Sequence, residues 1–236
     1  MYHEVMAPPN DPYAYLYVTP ARFAREMAAL RSAGYCAITL QTALALWTGA
    51  THLGCRPLIL RFDDGYGSVF QNAYPVLQKL GWPGNLCQQV QRVNFPGGLT
   101  AAEIHTLLAH GWDLADHGYA QPELNLVGAT PAQVHLQVVT SRQDLAKRFG
   151  TPVDFYCWPL GYYDRQVVSA VRAAGFTGAL GVGPGDAEPA VEGWWRLDAV
   201  PAFGWMSTAA LLAEVRRFQG ETPAVPPTAY TPANAS

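Results

Sequence analysis

Short continuous apolar runs alternate along the chain with longer stretches in which apolar residues return every third or fourth position, and the two rhythms predict strands and helices in turn. Runs at 2–6, 36–39, 58–62, 86–90, 112–115, 153–158 and 177–182 read as strands, with a further candidate at 195–200. Between the first two, Phe23, Met27 and Leu30 share a helical face that opens at Thr19-Pro20 and stops at Gly34. A helix at 41–47 follows, and 69–80 has helical spacing that Pro75 should bend or divide. Thr100 with Glu103 makes a capping box for a helix to His110, and Thr130-Pro131 with Gln133 opens a long helix carrying Val134, Val138, Leu145 and Phe149. Asp164 caps a helix that Gly175 ends, and 211–218 is the last helix. Strand and helix thus alternate about seven times, which predicts an α/β fold: a parallel sheet curled into a distorted or incomplete (β/α) barrel of about seven strands. From 221 to 236 the chain is Pro, Ala and Thr without periodicity, so a disordered tail is expected after a single domain at 1–220.

Composition narrows the function. With 236 residues, 50% hydrophobic and 14% charged, the chain can fill one large core. A net charge of -3 leaves no electrostatic footprint for nucleic acid, and no apolar run is long enough to span a bilayer. The first residues, Met1-Tyr2-His3-Glu4-Val5, lack the basic and apolar regions of a signal peptide, so the chain as written reads as cytoplasmic or trimmed. Cys36, Cys55, Cys87 and Cys157 form no CxxC pair, which argues against a zinc knuckle or a redox motif. Three of them fall in expected strands as small buried hydrophobes, and a disulfide is possible without being inferable.

Chemistry concentrates where strands are expected to end. The run at 58–62 begins after Pro57 and closes on Arg61-Phe62-Asp63-Asp64-Gly65-Tyr66-Gly67, so two adjacent carboxylates sit at a carboxyl end, which in parallel α/β folds faces the ligand crevice. Crowding them there raises a pKa unless a cation or a donor compensates, which suits a base beside a metal ligand. The plainer alternative is that one Asp caps the next helix and the other is solvated. Asp116-His117 closes another strand, and Trp158-Pro159-Leu160-Gly161-Tyr162-Tyr163 closes a third. A carboxylate and an imidazole brought together on one barrel face can hold a divalent ion while a second carboxylate takes a proton from water. On position alone His117 is equally well read as a hydrogen-bonded structural histidine. Tyr119, Tyr162, Tyr163, Trp194, Trp195 and Trp205 could form a sugar-stacking rim, although for any one of them packing is the better reading.

These motifs resemble the polysaccharide deacetylase family, the NodB-homology or carbohydrate esterase family 4 group. Its Thr-Phe-Asp-Asp-Gly motif is similar to Arg61 through Gly65, its His-Ser/Thr-x-x-His motif to His117-Gly118-Tyr119-Ala120-Gln121 followed by Pro122, and its Pro-Tyr-Gly core to Trp158-Pro159-Leu160-Gly161. Tyr2-His3 and Arg196-Leu197 look like the branch that deacetylates poly-N-acetylglucosamine. The resemblance implies hydrolysis of N-acetyl groups on an N-acetylglucosamine-type polysaccharide or oligosaccharide, with Asp63 as general base and Asp64, His117 and the position of Gln121 as metal ligands. It further implies that Tyr66, Trp158, Pro159, Gly161 and Tyr162 surround the substrate, that the metal is zinc, and that the protein acts outside the cytoplasm.

Three departures pull against that picture. Gln121 offers a neutral amide oxygen where imidazole is usual; Asp116 or Glu123 could lend an oxygen instead, and either would favour Mg²⁺ or Mn²⁺ over zinc. The family arginine that orients the base near the third motif is matched by Asp154, with Arg61 as a partial substitute. No histidine follows His135, so the late general acid of many members has no counterpart, and only proximity recommends Asp198. The alternative to an enzyme is therefore a glycan-binding protein of the same fold with impaired catalysis.

Overall fold

In the computed structural model of the chain, residues 1–120, 125–183 and 193–218 are described. The expected tail lies outside them. Among the described residues, strands β1 (Tyr35–Ile38) and β2 (Arg56–Ile59) pair in a small parallel sheet. Strands β3 (Arg61–Phe62), β4 (Asn85–Gln88), β5 (Asp113–Asp116), β6 (Phe155–Cys157) and β7 (Gly178–Leu180) form a second sheet in sequence order, every pair parallel.

The curl is carried past both edges by irregular chain. On the β3 edge Tyr2 pairs with Phe62, and on the β7 edge Leu197 pairs with Leu180. These outer segments then meet: the terminal amine of Met1 donates to the Val200 carbonyl at 2.9 Å, and Ala202 N–H to the Met1 carbonyl at 2.9 Å. The expected strands at 2–6 and 195–200 are therefore present as isolated bridges, and they complete a distorted parallel barrel.

One expected strand is two. The apolar run at 58–62 divides at Leu60, and its first half is not buried on both faces: Arg56 and Pro57 are exposed, while Leu58 and Ile59 are half-buried. Asn85 holds the break, because its side-chain amide donates to the Ile38 and Leu60 carbonyls, both at 3.1 Å, and accepts from Leu40 N–H at 2.8 Å. A buried amide that satisfies three backbone groups costs little to bury and leaves no reason for the run to stay straight.

The helices follow their caps. Helix α1 (Pro20–Ser32) starts on Thr19, α2 (Leu40–Trp47) on Thr39, and α4 (Ala101–Ala109) on the Thr100–Glu103 capping box. As Pro75 requires, the 69–80 segment is divided, with a π turn over Val69–Ala73 preceding α3 (Tyr74–Leu80). The long stretch from Thr130 is likewise α5 (Pro131–Val134), a π turn (His135–Thr140) and α6 (Ser141–Phe149); α7 (Arg165–Ala173) and α8 (Thr208–Phe218) follow among the described residues.

Strand residues alternate between two cores. Leu86, Leu114, Tyr156 and Ala179 join the large cluster under the helices, whereas Cys87, Ala115, Cys157 and Leu180 form a smaller cluster against which Leu44 and Trp47 of α2 pack. Helix α2 thereby plugs the amino end of the barrel, where Gln41 N–H donates to Asp113 at 3.0 Å. All four cysteines are paired, as Cys36–Cys55 and Cys87–Cys157, the pairing that spacing alone left open. The second bridge ties β4 to β6 across β5 and closes a loop of 70 residues. Removing it with Cys87→Ala and Cys157→Ala should lower the unfolding free energy by about 2–4 kcal/mol, read by denaturant titration.

Candidate active site

Every strand of the second sheet points its carboxyl end the same way, so Asp63, Asp64, His117 and Trp158 emerge on one rim. Immediately after β3 the backbone turns sharply. Asp64 has φ of 70° and Gly65 of 88°, both in the left-handed region. At Gly65 a Cβ would also run into the Gln88 side chain, so glycine is required for space as well as for conformation. The turn separates the two carboxylates into different surroundings.

Asp63 faces Arg61. Arg61 Nε donates to Asp63 Oδ1 at 2.6 Å and Nη2 to Oδ2 at 2.7 Å, while Nη1 donates to the Gly181 carbonyl at 2.6 Å. Both side chains are buried, each residue 2% exposed. Burial by itself would push the Asp63 carboxyl up; the charges of Arg61, His117 and His3 together with the fork of hydrogen bonds outweigh it and hold the group below the ordinary carboxylate range. Asp63 is therefore an oriented anion at neutral pH.

Asp64 faces His117. Its Oδ1 lies 3.3 Å from His117 Nε2 and accepts from Gln89 Nε2 at 3.1 Å. The other ring nitrogen, Nδ1, is 2.8 Å from the Cys157 carbonyl, which accepts only a proton-bearing nitrogen, so Nε2 is the atom turned toward the carboxylate. Here too burial raises the Asp64 carboxyl, and His117, His3 and Arg92 override it to bring it well below its usual value. A carboxylate oxygen 3.3 Å from an Nε2, with Nδ1 tied to a backbone carbonyl, is a pair that could hold a divalent metal. The expected third ligand, Gln121, lies outside the described residues, as does Glu123. Among the described residues no three His, Cys, Asp or Glu side chains converge into a fuller metal set.

Asp116 is not a donor to that point. It alternates to the opposite face of β5, where Oδ2 accepts from Ser141 Oγ at 2.6 Å and Oδ1 from Gly118 N–H at 2.8 Å. Burial pushes it up to about 7 despite those bonds. Asp154 is also elsewhere: it precedes β6 at the plugged end of the barrel, accepting from Gln41 Nε2 at 2.7 Å beside Arg142. The guanidinium that orients Asp63 comes from Arg61, two residues before it.

The third motif builds the wall. Trp158 is completely buried; its ring stacks on Tyr163 at 4.9 Å and its indole N–H donates to the Trp195 carbonyl at 2.9 Å. Pro159 and Gly161 are buried as well, and the exposed members are Leu160 and Tyr162. Of this motif, Tyr162 is the expected substrate contact that presents its side chain to solvent, and Trp158 contributes as packing. Tyr66 is half-buried beneath the Arg92 guanidinium, 4.0 Å from its ring, and burial with the nearby Asp64 charge raises its phenol. Its bridge to Gly98 is made through Gly67 N–H and the Gly65 carbonyl, which directs the N–H of Tyr66 to the other side of the turn.

His3 belongs with these residues. Tyr2 N–H donates to the Arg61 carbonyl and Asp63 N–H to the Tyr2 carbonyl, so His3 follows the pairing up to the level of the carboxylates, and its charge lowers both of them. The sequence carried a signal for it, a histidine in a run that pairs with the organising strand, but not the register. Asp198 reaches the same rim beside Gly181 and Gly183 and is held by Arg196 at 2.7 Å.

Against known proteins, residues 51–179 match the family model for polysaccharide deacetylase. The chain belongs to the polysaccharide deacetylase family. It is 26% identical over 215 residues to YxkH of Bacillus subtilis (strain 168), a protein named for the same family, covering 91% of this chain and 74% of that one. In fold it is similar to the Streptococcus pyogenes deacetylase PplD, solved with acetate, at a TM-score of 0.82 with 20% identity over 91% of this chain and 95% of that one. It is also similar to BA0330 of Bacillus anthracis at 0.78 with 23% identity, covering 91% and 67%. Membership implies a hydrolase of amide bonds and a polysaccharide substrate, and the family's deacetylases are generally metal-dependent.

Proposed function

We propose that this deacetylase removes N-acetyl groups from an N-acetylglucosamine-type polysaccharide, with a divalent metal held by Asp64 and His117 and with Asp63 as the base. The observation that carries the reading is the division of labour between adjacent carboxylates: Asp63 is locked on Arg61 and Asp64 is turned to His117 Nε2. A metal at the second pair would polarise the acetamide carbonyl and acidify a water. Zinc suits an imidazole and a carboxylate, and Gln121 as a neutral third donor would shift the preference toward Mn²⁺ or Mg²⁺.

The residues of the chain divide the remaining steps. Asp63 takes a proton from water as the oxygen forms its bond to the acetyl carbon, and the Tyr66 N–H supports the oxyanion that results. Breaking the carbon–nitrogen bond requires a proton on the departing sugar amine. His3, at the level of both carboxylates, is the group placed to give it, in place of a histidine late in the chain. Acetate and a free amine are the products. The two disulfides support action outside the cytoplasm, since thiols stay reduced in a cytosolic setting.

Calorimetry with zinc and manganese on metal-stripped protein, followed by acetate release from N-acetylglucosamine oligomers, tests the reading. His117→Ala should weaken metal binding by at least about tenfold, since even the loss of an outer partner costs that much. Metal binding untouched by that change would remove His117 from the site. Oligomer binding without acetate release at any metal would leave a glycan-binding protein instead.

A further inference from the structure

A groove with a cavity volume of about 370 Å³ opens on the rim, lined in part by Pro8, Tyr15, Tyr17, Thr19, Arg22 and Trp205. That volume lies within the range of small-ligand sites. It lies on the side of the barrel closed by the amino-terminal segment. The segment from Leu197 runs parallel to β7 and so leads toward the carboxyl-end rim. Tyr17, in the lining of the groove, pairs with Glu4, the residue after His3. The groove thus abuts the amino-terminal segment that carries His3 to the rim.

Trp205 is 72% exposed, yet it is fixed in place. One face stacks on Phe203 at 5.6 Å, and Phe203 meets the edge of Tyr15 at 5.8 Å. Arg22 clamps the loop, donating from Nη1 to the Gly204 carbonyl and from Nη2 to the Phe203 carbonyl, both at 2.6 Å, and is itself anchored on the fully buried Glu26 at 2.7 Å. Gly204 N–H donates to the Tyr15 carbonyl at 2.6 Å, and a Cβ at Gly204 would meet the Tyr17 carbonyl at 2.5 Å, so the two rims of the groove are joined backbone to backbone. Trp205 is therefore held in a fixed orientation with its outer face open to water.

The chemistry of the lining selects the occupant. Flat aromatic faces take the C–H face of a pyranose ring, and the phenol groups of Tyr15 and Tyr17 with the Thr19 hydroxyl answer its equatorial polar groups. A folded partner would need a broader apolar face than one groove supplies. We propose that this groove is a glycan subsite, holding on Trp205 and Tyr15 a neighbouring sugar of the chain whose acetamide is at Asp63 and Asp64. It rests on the deacetylase reading above and assigns Trp205 and Tyr15 to a sugar beside the one that reacts.

The test uses the full chain and soluble N-acetylglucosamine oligomers, from the monosaccharide to the hexamer, in two assays: acetate release and calorimetric binding. With wild type, kcat/KM should climb as units are added. In Trp205→Ala that climb should shrink by about tenfold and the Kd for the hexamer should rise by a similar factor, while Trp205→Phe, which keeps a stacking face, should retain most of both. Circular dichroism and a thermal melt confirm that each variant is folded. Binding that depends on Trp205 without acetate release would sink the catalytic reading and keep the subsite. Folded Trp205→Ala with unchanged length dependence and unchanged hexamer affinity, or a wild type that binds no oligomer, would overturn the subsite itself.

Discussion

Asp63→Asn should lower kcat/KM for acetate release by about two to four orders of magnitude, the contribution of a positioned general base. The amide keeps the shape of the side chain but takes no proton from water. It also leaves the Arg61 guanidinium, 2% exposed, without its counter-charge, so the variant should lose stability as well as rate. The two losses are separable: activity per folded molecule, with the folded fraction read by circular dichroism, isolates the chemical step. A variant that is folded and as active as wild type would remove Asp63 from the proton transfer.

Arg61→Met should be the most destabilising single change at the site, by about 3–5 kcal/mol at neutral pH, because it strands a buried carboxylate that two charged hydrogen bonds now satisfy. It should also move the acid limb of the kcat/KM profile. Burial raises the Asp63 carboxyl and Arg61 is the foremost group that brings it below the ordinary range, so with Arg61 gone burial dominates and the limb shifts to higher pH. The sign for stability follows from the same depression. In wild type a carboxyl held below its unfolded value of about 3.9 contributes stability that is fully present above that value and is lost as pH falls through the folded one. Wild type should therefore show an acid-induced loss below about pH 4 that Arg61→Met lacks, read by urea midpoints across the acid range. An unmoved acid limb in Arg61→Met would mean that another group sets the ionisation of the base.

The alternation of apolar rhythms was enough to anticipate a parallel α/β barrel, because strands buried on both faces and helices with capping boxes carry their own local signals. What it could not convey was where the continuous runs break. The run through Leu60 is uniformly apolar, and the side chain that divides it, Asn85, lies on another strand. Pairing was hidden for a similar reason: Cys87 and Cys157 sit in ordinary strand positions, and only the curl of the sheet brings them together. At the site, the adjacent carboxylates and His117 stood out by position, whereas the partners that define their roles are a backbone carbonyl at Cys157 and a guanidinium at Arg61. Trp158, which the resemblance placed beside the substrate, is fully buried and packs on Tyr163 behind the rim. Asp154, matched to the family arginine by order along the chain, lies at the opposite end of the barrel.

Arg61 and Asp63 are separated by one residue, so the carboxylate and the guanidinium that faces it are brought together as soon as β3 pairs. An arginine near the third motif would have to be delivered by a strand some ninety residues away, through a loop closure whose entropy grows with length. Here the cation that faces Asp63 is supplied locally by β3, and the third-motif strand, relieved of supplying it, uses its end for the carbonyl that aims His117. Grafting β3 and its turn into a relative should therefore carry the Arg61–Asp63 pair with it, independently of what stands at the position of Asp154.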